Sequence, residues 1–115
     1  MEFVRGDSFS FKFKRQLQTG EIITEKPAKM YFTVKYNDEN KALFQKTFEN
    51  GIDFDGESYH VKIESSDTEK LQFGEYWFDI EIIDDEKTKT LYVGKLRLTR
   101  EVTFKNNEVW LWKKN

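Results

Sequence analysis

The sequence predicts an all-β domain, a sandwich or barrel of about seven antiparallel strands. Three observations predict it. Apolar and polar residues alternate with a period of two over most of the chain, as they do in half-buried strands. Aromatic residues make up 17% of the 115 residues, with 11 Phe among them, and such side chains fill pleated surfaces well. Turn-forming residues separate the alternating segments at regular intervals, which is typical of sandwiches and barrels.

The first half of the chain contains three of these segments. The first clear strand is Phe9–Lys14, in which three Phe share one face because side chains alternate across a strand. Residues 19–21 are predicted to form a turn, and residues 28–36 form the second strand. Residues 37–40 are a strong turn signal, since Asn and Asp tolerate turn backbone. Residues 42–48 are the third strand candidate.

The second half continues the pattern. Tyr59, Val61 and Ile63 mark a fourth strand. Residues 66–71 resemble one capped helical turn, since the Ser and Asp at its start can accept hydrogen bonds from exposed backbone amides. Residues 75–84 are the strongest strand candidate, with apolar residues at every second position.

The end of the chain is predicted to depart from this regularity. A charged hairpin loop at residues 84–89 leads into a long strand at residues 90–103. Its apolar residues change phase, which predicts a β-bulge near Gly94. The pattern breaks behind this strand. We therefore divide the chain into a β-sandwich domain at residues 1–104 and a C-terminal extension at residues 105–115, which is either an edge strand or an arm.

Composition argues against several classes of protein. The chain has no Cys, so it forms no disulfide and has no thiolate chemistry. Its 19 basic and 21 acidic residues balance to a net charge of −2, which provides no global field for nucleic acid or an anionic membrane. We see no signal peptide, and the apolar runs are far shorter than the ~20 residues that span a bilayer. We therefore expect a protein made in the cytoplasm that binds neither nucleic acid nor membrane.

Four motifs carry a family resemblance. VRGDSF at residues 4–9 and FTVK at 32–35 are followed by DT, L, GEY and DI within 67–80, and by VGKL and EVT within 93–103. In this order they resemble the immunoglobulin-like N-terminal domain of phage baseplate upper proteins and related short phage and prophage structural proteins. The resemblance covers residues 3–103. It implies an immunoglobulin-like β-sandwich in a tail, baseplate or neck, located in the virion beside other phage subunits or copies of itself.

Three Trp residues are the candidate contacts of such a subunit. Trp77 is out of phase with the core face of its strand, so we expect it to face outwards. Beside Tyr31 or Ile83 it would form an apolar patch, and such patches mark interfaces. Trp110 and Trp112 lie on one side of the C-terminal extension, and Trp is enriched at binding hot spots. The alternative is that this extension covers Trp77 within the same chain.

Other chemistry-bearing residues have structural interpretations. His60 is the only histidine, and because it is out of phase with Tyr59 and Val61 we expect it to face solvent or a neighbouring subunit; a catalytic or metal role would need partners. Asp53, Asp55 and Glu57 are interpreted as a solvated hairpin loop, because their spacing is not that of a calcium loop. The tripeptide at residues 5–7 spells an adhesion motif, but its Gly is expected to permit a bend at the start of a strand.

The basic residues Lys12, Lys14 and Arg15 alternate with Phe, a combination that can bind nucleic acid. Parity places these Phe in the core, so we expect them to be unavailable for stacking on bases. The sequence thus predicts a non-catalytic phage structural module that acts through subunit packing, without catalytic, metal or cofactor residues. A carbohydrate-binding or host-adhesion module is the alternative. An enzyme is the least favoured class, with a carboxylate-pair hydrolase as the form that the sequence leaves open.

Overall fold

A computed structural model describes residues 1–36 and 41–100. These residues fold as an all-β sandwich of two sheets, which confirms the predicted fold class. The elements, in chain order, are β1 (Glu2–Val4), β2 (Phe9–Lys14), β3 (Lys29–Lys35), β4 (Ala42–Thr47), β5 (Ile52–Phe54), β6 (Ser58–Ile63), α1 (Ser65–Thr68), β7 (Gly74–Asp84) and β8 (Lys87–Thr99). The predicted helical turn is present as α1. The boundary predicted after residue 104 lies outside the described residues.

The strands divide unequally between the sheets. Five form one sheet in the order β1-β8-β7-β3-β4, and three form the other in the order β2-β6-β5. The strand pairings are antiparallel, as predicted, except that of β1 with β8, which is parallel. The two strands that sequence reasoning missed, β1 and β5, have three residues each and are too short to show alternation.

Parity correctly predicted which residues form the core. The inward positions of β3, β6 and β7 are buried between the sheets, and the next positions along each strand are more exposed. Phe32, Tyr59, Val61 and Ile63 have no exposed surface. Such burial contributes roughly 1.5–3 kcal/mol for each large apolar side chain.

The hairpin between β7 and β8 is tighter than predicted. Asp84 pairs with Lys87, so the turn contains only Asp85 and Glu86, both at positive φ (50° and 63°). Two residues at positive φ are typical of the type I′ turn that matches strand twist. The strand β8 therefore begins at Lys87 rather than at residue 90.

The predicted bulge is present, but it does not lie at Gly94. The register shifts between Ile80 and Glu81, which pair with Tyr92 and Thr90, so Leu91 is the extra residue. Gly94 pairs regularly with Phe78 and has a different role: a Cβ there would lie 2.8 Å from the Tyr92 ring and 3.0 Å from the Phe78 ring. This glycine therefore makes room for two aromatic rings on the inner face of β8.

Candidate interaction groove

Within residues 1–36 and 41–100, two strand edges on the same side of the sandwich have no strand paired to them. Among the described strands, β2 pairs only with β6, which lies on one side of it. The strand β8 is longer than its neighbour β1, which pairs only with residues 97–99 of β8. Within the described residues, residues 87–94 of β8 therefore pair only with β7, and the Lys95 carbonyl also accepts a hydrogen bond from the Met1 amino group. Unpaired strand edges carry free N–H and C=O groups that can bind another strand.

A groove of about 740 Å³ lies between these two edges. Its floor is apolar: Phe11 and Phe13 come from β2, Phe78 and Ile80 from β7, and Leu91 from β8. Tyr92 stands at its margin with 58% of its surface exposed. Its ring centroid lies 5.7 Å from that of Phe78. Within the described part of the chain, the two sheets thus leave part of the apolar interior open along this side.

Two local features shape the walls of the groove. The bulge turns Leu91 towards the interior and packs it against the core cluster. On the opposite wall, Ile23 belongs to a looped segment held by hydrogen bonds from the Ile23 N–H to the Arg15 carbonyl (2.8 Å) and from the Gly20 N–H to the Leu17 carbonyl (2.8 Å). Gly20 has a φ of +92°, a conformation that favours glycine.

The rim of the groove is basic. Fourteen residues in the described part of the chain line the groove, of which five are Lys or Arg and none is acidic. Lys14 donates a hydrogen bond to Glu57, and this bond and the carboxylate charge raise the pKa of Lys14. Lys95 lies over the ring of Trp77, 5.0 Å from its centroid. The remaining basic residues of the rim, Lys12, Arg15 and Lys89, form no ion pair with the described residues.

The structure refines the expectation for the Phe residues of β2. Parity is correct, since Phe9, Phe11 and Phe13 face inwards while the Lys residues between them are exposed. These Phe are nevertheless only half-buried, because the sandwich is open beside this edge strand. Phe11 and Phe13 therefore line a surface that a ligand can reach. Sequence alternation alone does not reveal this, because it identifies a face and not the closure of the sandwich.

The predicted contact residue Trp77 lies on the outer face of the larger sheet, as expected, with 38% of its surface exposed. Its cross-strand neighbours are Lys35 and Lys95, both basic. Tyr31 lies opposite Glu81 further along the sheet, so the apolar patch expected around Trp77 is broken by charges. Trp110 and Trp112 lie outside the described residues, as does the extension that was expected to carry or cover these contacts.

The residues around the β5–β6 turn form a hydrogen-bonded cluster. Asp55 Oδ1 accepts hydrogen bonds from the backbone amides of Ser58 (2.8 Å) and Glu57 (3.0 Å), and its Oδ2 lies 3.1 Å from His60 Nε2. These three contacts hold the pKa of Asp55 well below its ordinary value. The hydrogen bond from the Ser58 amide has the largest effect, then the contact with His60, then the bond from the Glu57 amide. Asp53 lies on β5, opposite His60. Within the described residues, no three His, Asp or Glu side chains are grouped as a metal site would require.

The tripeptide at residues 5–7 forms a bend, as predicted. Gly6 has a φ of +85° and the Asp7 amide donates to the Val4 carbonyl at 3.2 Å. The Gly6 amide also donates to Thr68 Oγ1 at 2.9 Å, which ties the bend to α1. The motif therefore connects β1 to β2 across the two sheets.

Comparisons with known proteins do not add to this description. No protein-family model matches the chain, and a search of curated proteins gives no match. The resemblance to phage structural proteins therefore stays a prediction. In the described part of the chain, no helix has the length and apolar character needed to cross a membrane.

Proposed function

We propose that this chain is a non-catalytic structural subunit of a phage particle, an immunoglobulin-like module of a tail, baseplate or neck. It acts by packing against neighbouring subunits, and it uses the groove between β2 and β8 for one of these contacts. The observation that carries the proposal is a pair of strand edges, on either side of an apolar floor, that no other strand of the described residues covers.

Unpaired edges are usually protected in proteins that act alone. Natural sheets cover their edges with loops, shorten the edge strands or place charges that point inwards. Along β2 the inward positions carry three aromatic side chains and no charge, although Lys12 and Lys14 lie on its outer face. Tyr92 and Val93 on β8 are also more than half exposed. An edge of this kind suits a chain whose edges are covered by another subunit after assembly.

The chemistry of the lining also supports a contact surface. It combines aromatic and aliphatic side chains with Lys and Arg at the margin. Interfaces are enriched in aromatic residues and Arg, with apolar residues at the centre and polar residues at the rim. The motifs that resemble phage structural proteins lie on the same domain, and they supply the phage setting of the proposal.

The direct test is to look for the protein in particles. Prophage is induced in a strain that carries the gene, and the particles are purified on a density gradient. We expect peptides of this chain in the particle fraction, at a copy number set by the symmetry of the tail or baseplate. Recovery of the chain only from the soluble fraction, with other virion proteins detected normally, would contradict the proposal.

A variant pair then tests the groove. Tyr92→Glu places a charge at the margin of the groove, whereas Leu43→Glu places the same charge on β4, at the other edge of the larger sheet. Both side chains are exposed, so both variants should fold. We expect Tyr92→Glu to lower incorporation into particles and Leu43→Glu to leave it near the wild-type level. Equal incorporation of both variants would remove the groove from the assembly contact.

A further inference from the structure

We propose that the groove accepts an extended acidic segment of a partner subunit, which lies as an added strand between β2 and β8. This proposal rests on the assembly role described above and names the class of partner. The partner segment carries apolar side chains on the face that meets the floor and Asp or Glu side chains on the face that meets the rim.

The backbone geometry favours an extended peptide. Both walls of the groove are strand edges whose outward N–H and C=O groups are not used by a neighbouring strand in the described residues. A peptide that enters as a strand satisfies these groups and its own, which is the mode known as β-augmentation. The β2 edge has six residues, which corresponds to a length of roughly 20 Å at about 3.3 Å per residue.

The floor determines one face of the inserted strand. The floor presents the rings of Phe11 and Phe13 and the branched side chain of Ile80. Because successive side chains of a strand point to opposite faces, every second residue of the partner segment would bury apolar surface against this floor. The segment would close the sandwich along its open side and bury part of the core cluster now reached by solvent. This apolar contact supplies affinity, whereas the rim supplies selectivity.

The rim determines the other face. Among the described residues, Lys12, Arg15 and Lys89 have no ion-pair partner, and none of those that line the groove is acidic. The amino group of Met1 also lies at this margin, where it donates to the Lys95 carbonyl at 3.3 Å. Acidic side chains on the partner would complement these charges, and basic ones would be repelled.

The extension of the chain itself has the wrong charge for this role. Residues 101–115 carry three Lys and two Glu, so they do not complement a basic rim. Single-stranded nucleic acid has the right charge and its bases could reach the Phe rings. The flanking strand edges favour a peptide, however, because their N–H and C=O groups pair in register with another backbone.

The test uses the full-length chain and short blocked peptides. The probe is a fluorescent peptide of sequence EFEIEVE, with KFKIKVK as the charge-reversed control and a labelled oligothymidylate as the nucleic-acid control. Binding is followed by anisotropy at low salt. We expect saturable binding of the acidic peptide, which weakens as salt rises, and weaker or undetectable binding of the two controls.

Charge-reversal variants locate the contact. Lys12→Glu/Arg15→Glu/Lys89→Glu should weaken binding of the acidic peptide by about tenfold or more, since each exposed pair contributes modestly and three are reversed. The matched control, Lys29→Glu/Lys41→Glu/Lys70→Glu, changes three exposed lysines that do not line the groove and should change binding less than about threefold. Hydrogen exchange should slow at the β2 and β8 edge amides when the acidic peptide is bound.

Several outcomes would overturn the proposal. One is equal binding of both peptides, or of neither; another is tighter binding of the oligothymidylate. A third is protection of the β2 edge amides in dilute protein without peptide, which would mean that the chain covers its own groove. The particle experiment is independent of these results. A chain found in particles that fails to bind the peptide keeps its assembly role with a different partner, and a chain that binds the peptide but is absent from particles loses that role.

Discussion

The two sides of the sandwich are closed in different ways. On the β4–β5 side the chain crosses directly from the edge of one sheet to the edge of the other, and the Thr47 and Asn50 backbones bond to each other in the turn. Lys46 is only 4% exposed there, and its ammonium lies 2.6 Å from Asp67 Oδ2. On the β2–β8 side the β1–β2 connection covers only the end of β8, and an apolar groove remains beside it.

The difference shows that side-chain alternation and sheet closure are separate properties. Both sides have inward-facing aromatic residues, but among the described residues only the β4–β5 side has a buried ion pair, whereas the Lys14–Glu57 pair on β2 is exposed. Burying an ion pair costs desolvation energy. Removing one partner destabilises the fold more strongly still, because the remaining charge is buried without a counter-charge or solvating water. The closed side is therefore expected to respond strongly to mutation, and the open side weakly.

The largest effect is expected at the ion pair of the closed side. Asp67→Ala leaves the Lys46 ammonium buried without its partner and removes the acceptor of the Glu64 amide (2.8 Å), which belongs to the capping box of α1. We expect a loss of about 3–5 kcal/mol in the free energy of unfolding, measured by urea denaturation.

The control for this prediction removes the charge at the other end. Lys46→Met keeps an unbranched apolar stem of similar length, and Asp67 is partly exposed, so its charge can be solvated. The loss should be about 1 kcal/mol or less. Equal losses for the two variants would show that the deeper burial of Lys46 than of Asp67 does not determine the cost of removing either charge.

A second prediction compares two Leu residues on the same strand. Leu96 of β8 is 1% exposed, whereas Leu91 lies at the bulge and lines the groove. Leu96→Ala should cost about 2–5 kcal/mol, and Leu91→Ala about 1 kcal/mol, because solvent can fill the space that the second substitution leaves. Urea denaturation of both variants is the measurement, and equal costs would show that the open side is packed as tightly as the core.

Most of the architecture was predictable from alternation. The core faces of β3 and β7 follow from parity, and the helical turn follows from its capping residues. Parity also correctly placed Trp77 on the outer face. Each of these features is encoded by the pattern of residues within a single segment. A single sequence, without an alignment, is therefore sufficient to predict them.

The features that were not predictable depend on pairs of distant segments. The parallel pairing of β1 with β8 joins residues 2–4 to residues 97–99, and no local pattern encodes it. The burial of Lys46 depends on Asp67, which comes from another element. The groove, finally, exists because β8 extends beyond the three residues that pair with β1. How far one strand covers another is a property of the assembled sheet and not of either segment.

A third prediction concerns Tyr59, whose ring lies between Phe13 beside the open side and Phe54 on β5. Its hydroxyl is buried and has no hydrogen-bond partner among the described residues. Tyr59→Phe should therefore raise the free energy of unfolding by about 1 kcal/mol, since it removes an unsatisfied polar group.

Tyr76 provides the matched control for this substitution. Its hydroxyl donates to the Gln72 carbonyl at 2.6 Å, so Tyr76→Phe should lower the free energy of unfolding by about 1 kcal/mol. Thermal or urea denaturation distinguishes the two signs. A loss on Tyr59→Phe similar to that on Tyr76→Phe would mean that water or residues 101–115 satisfy the Tyr59 hydroxyl.

The smallest effect is expected at the exposed turn between β5 and β6, where Asp55 bonds to the Ser58 amide. The folded-state pKa of Asp55 lies below its ordinary value of 3.8, so its charge stabilises the fold above that value. This contribution is lost as the pH falls from 3.8 through the folded-state pKa. We therefore expect the melting temperature of Asp55→Asn to lie below that of the wild type at pH 7, and the difference to shrink below pH 3.8.

Asp55→Ala separates charge from hydrogen bonding in this measurement. Asn keeps a carbonyl oxygen that can accept from the Ser58 amide, whereas Ala keeps no acceptor. The Asp55→Ala variant should therefore remain less stable than the wild type in acid, whereas the melting temperature of Asp55→Asn should approach that of the wild type. A wild-type–Asn difference that stays constant to low pH would show that the carboxylate charge is not what the turn uses.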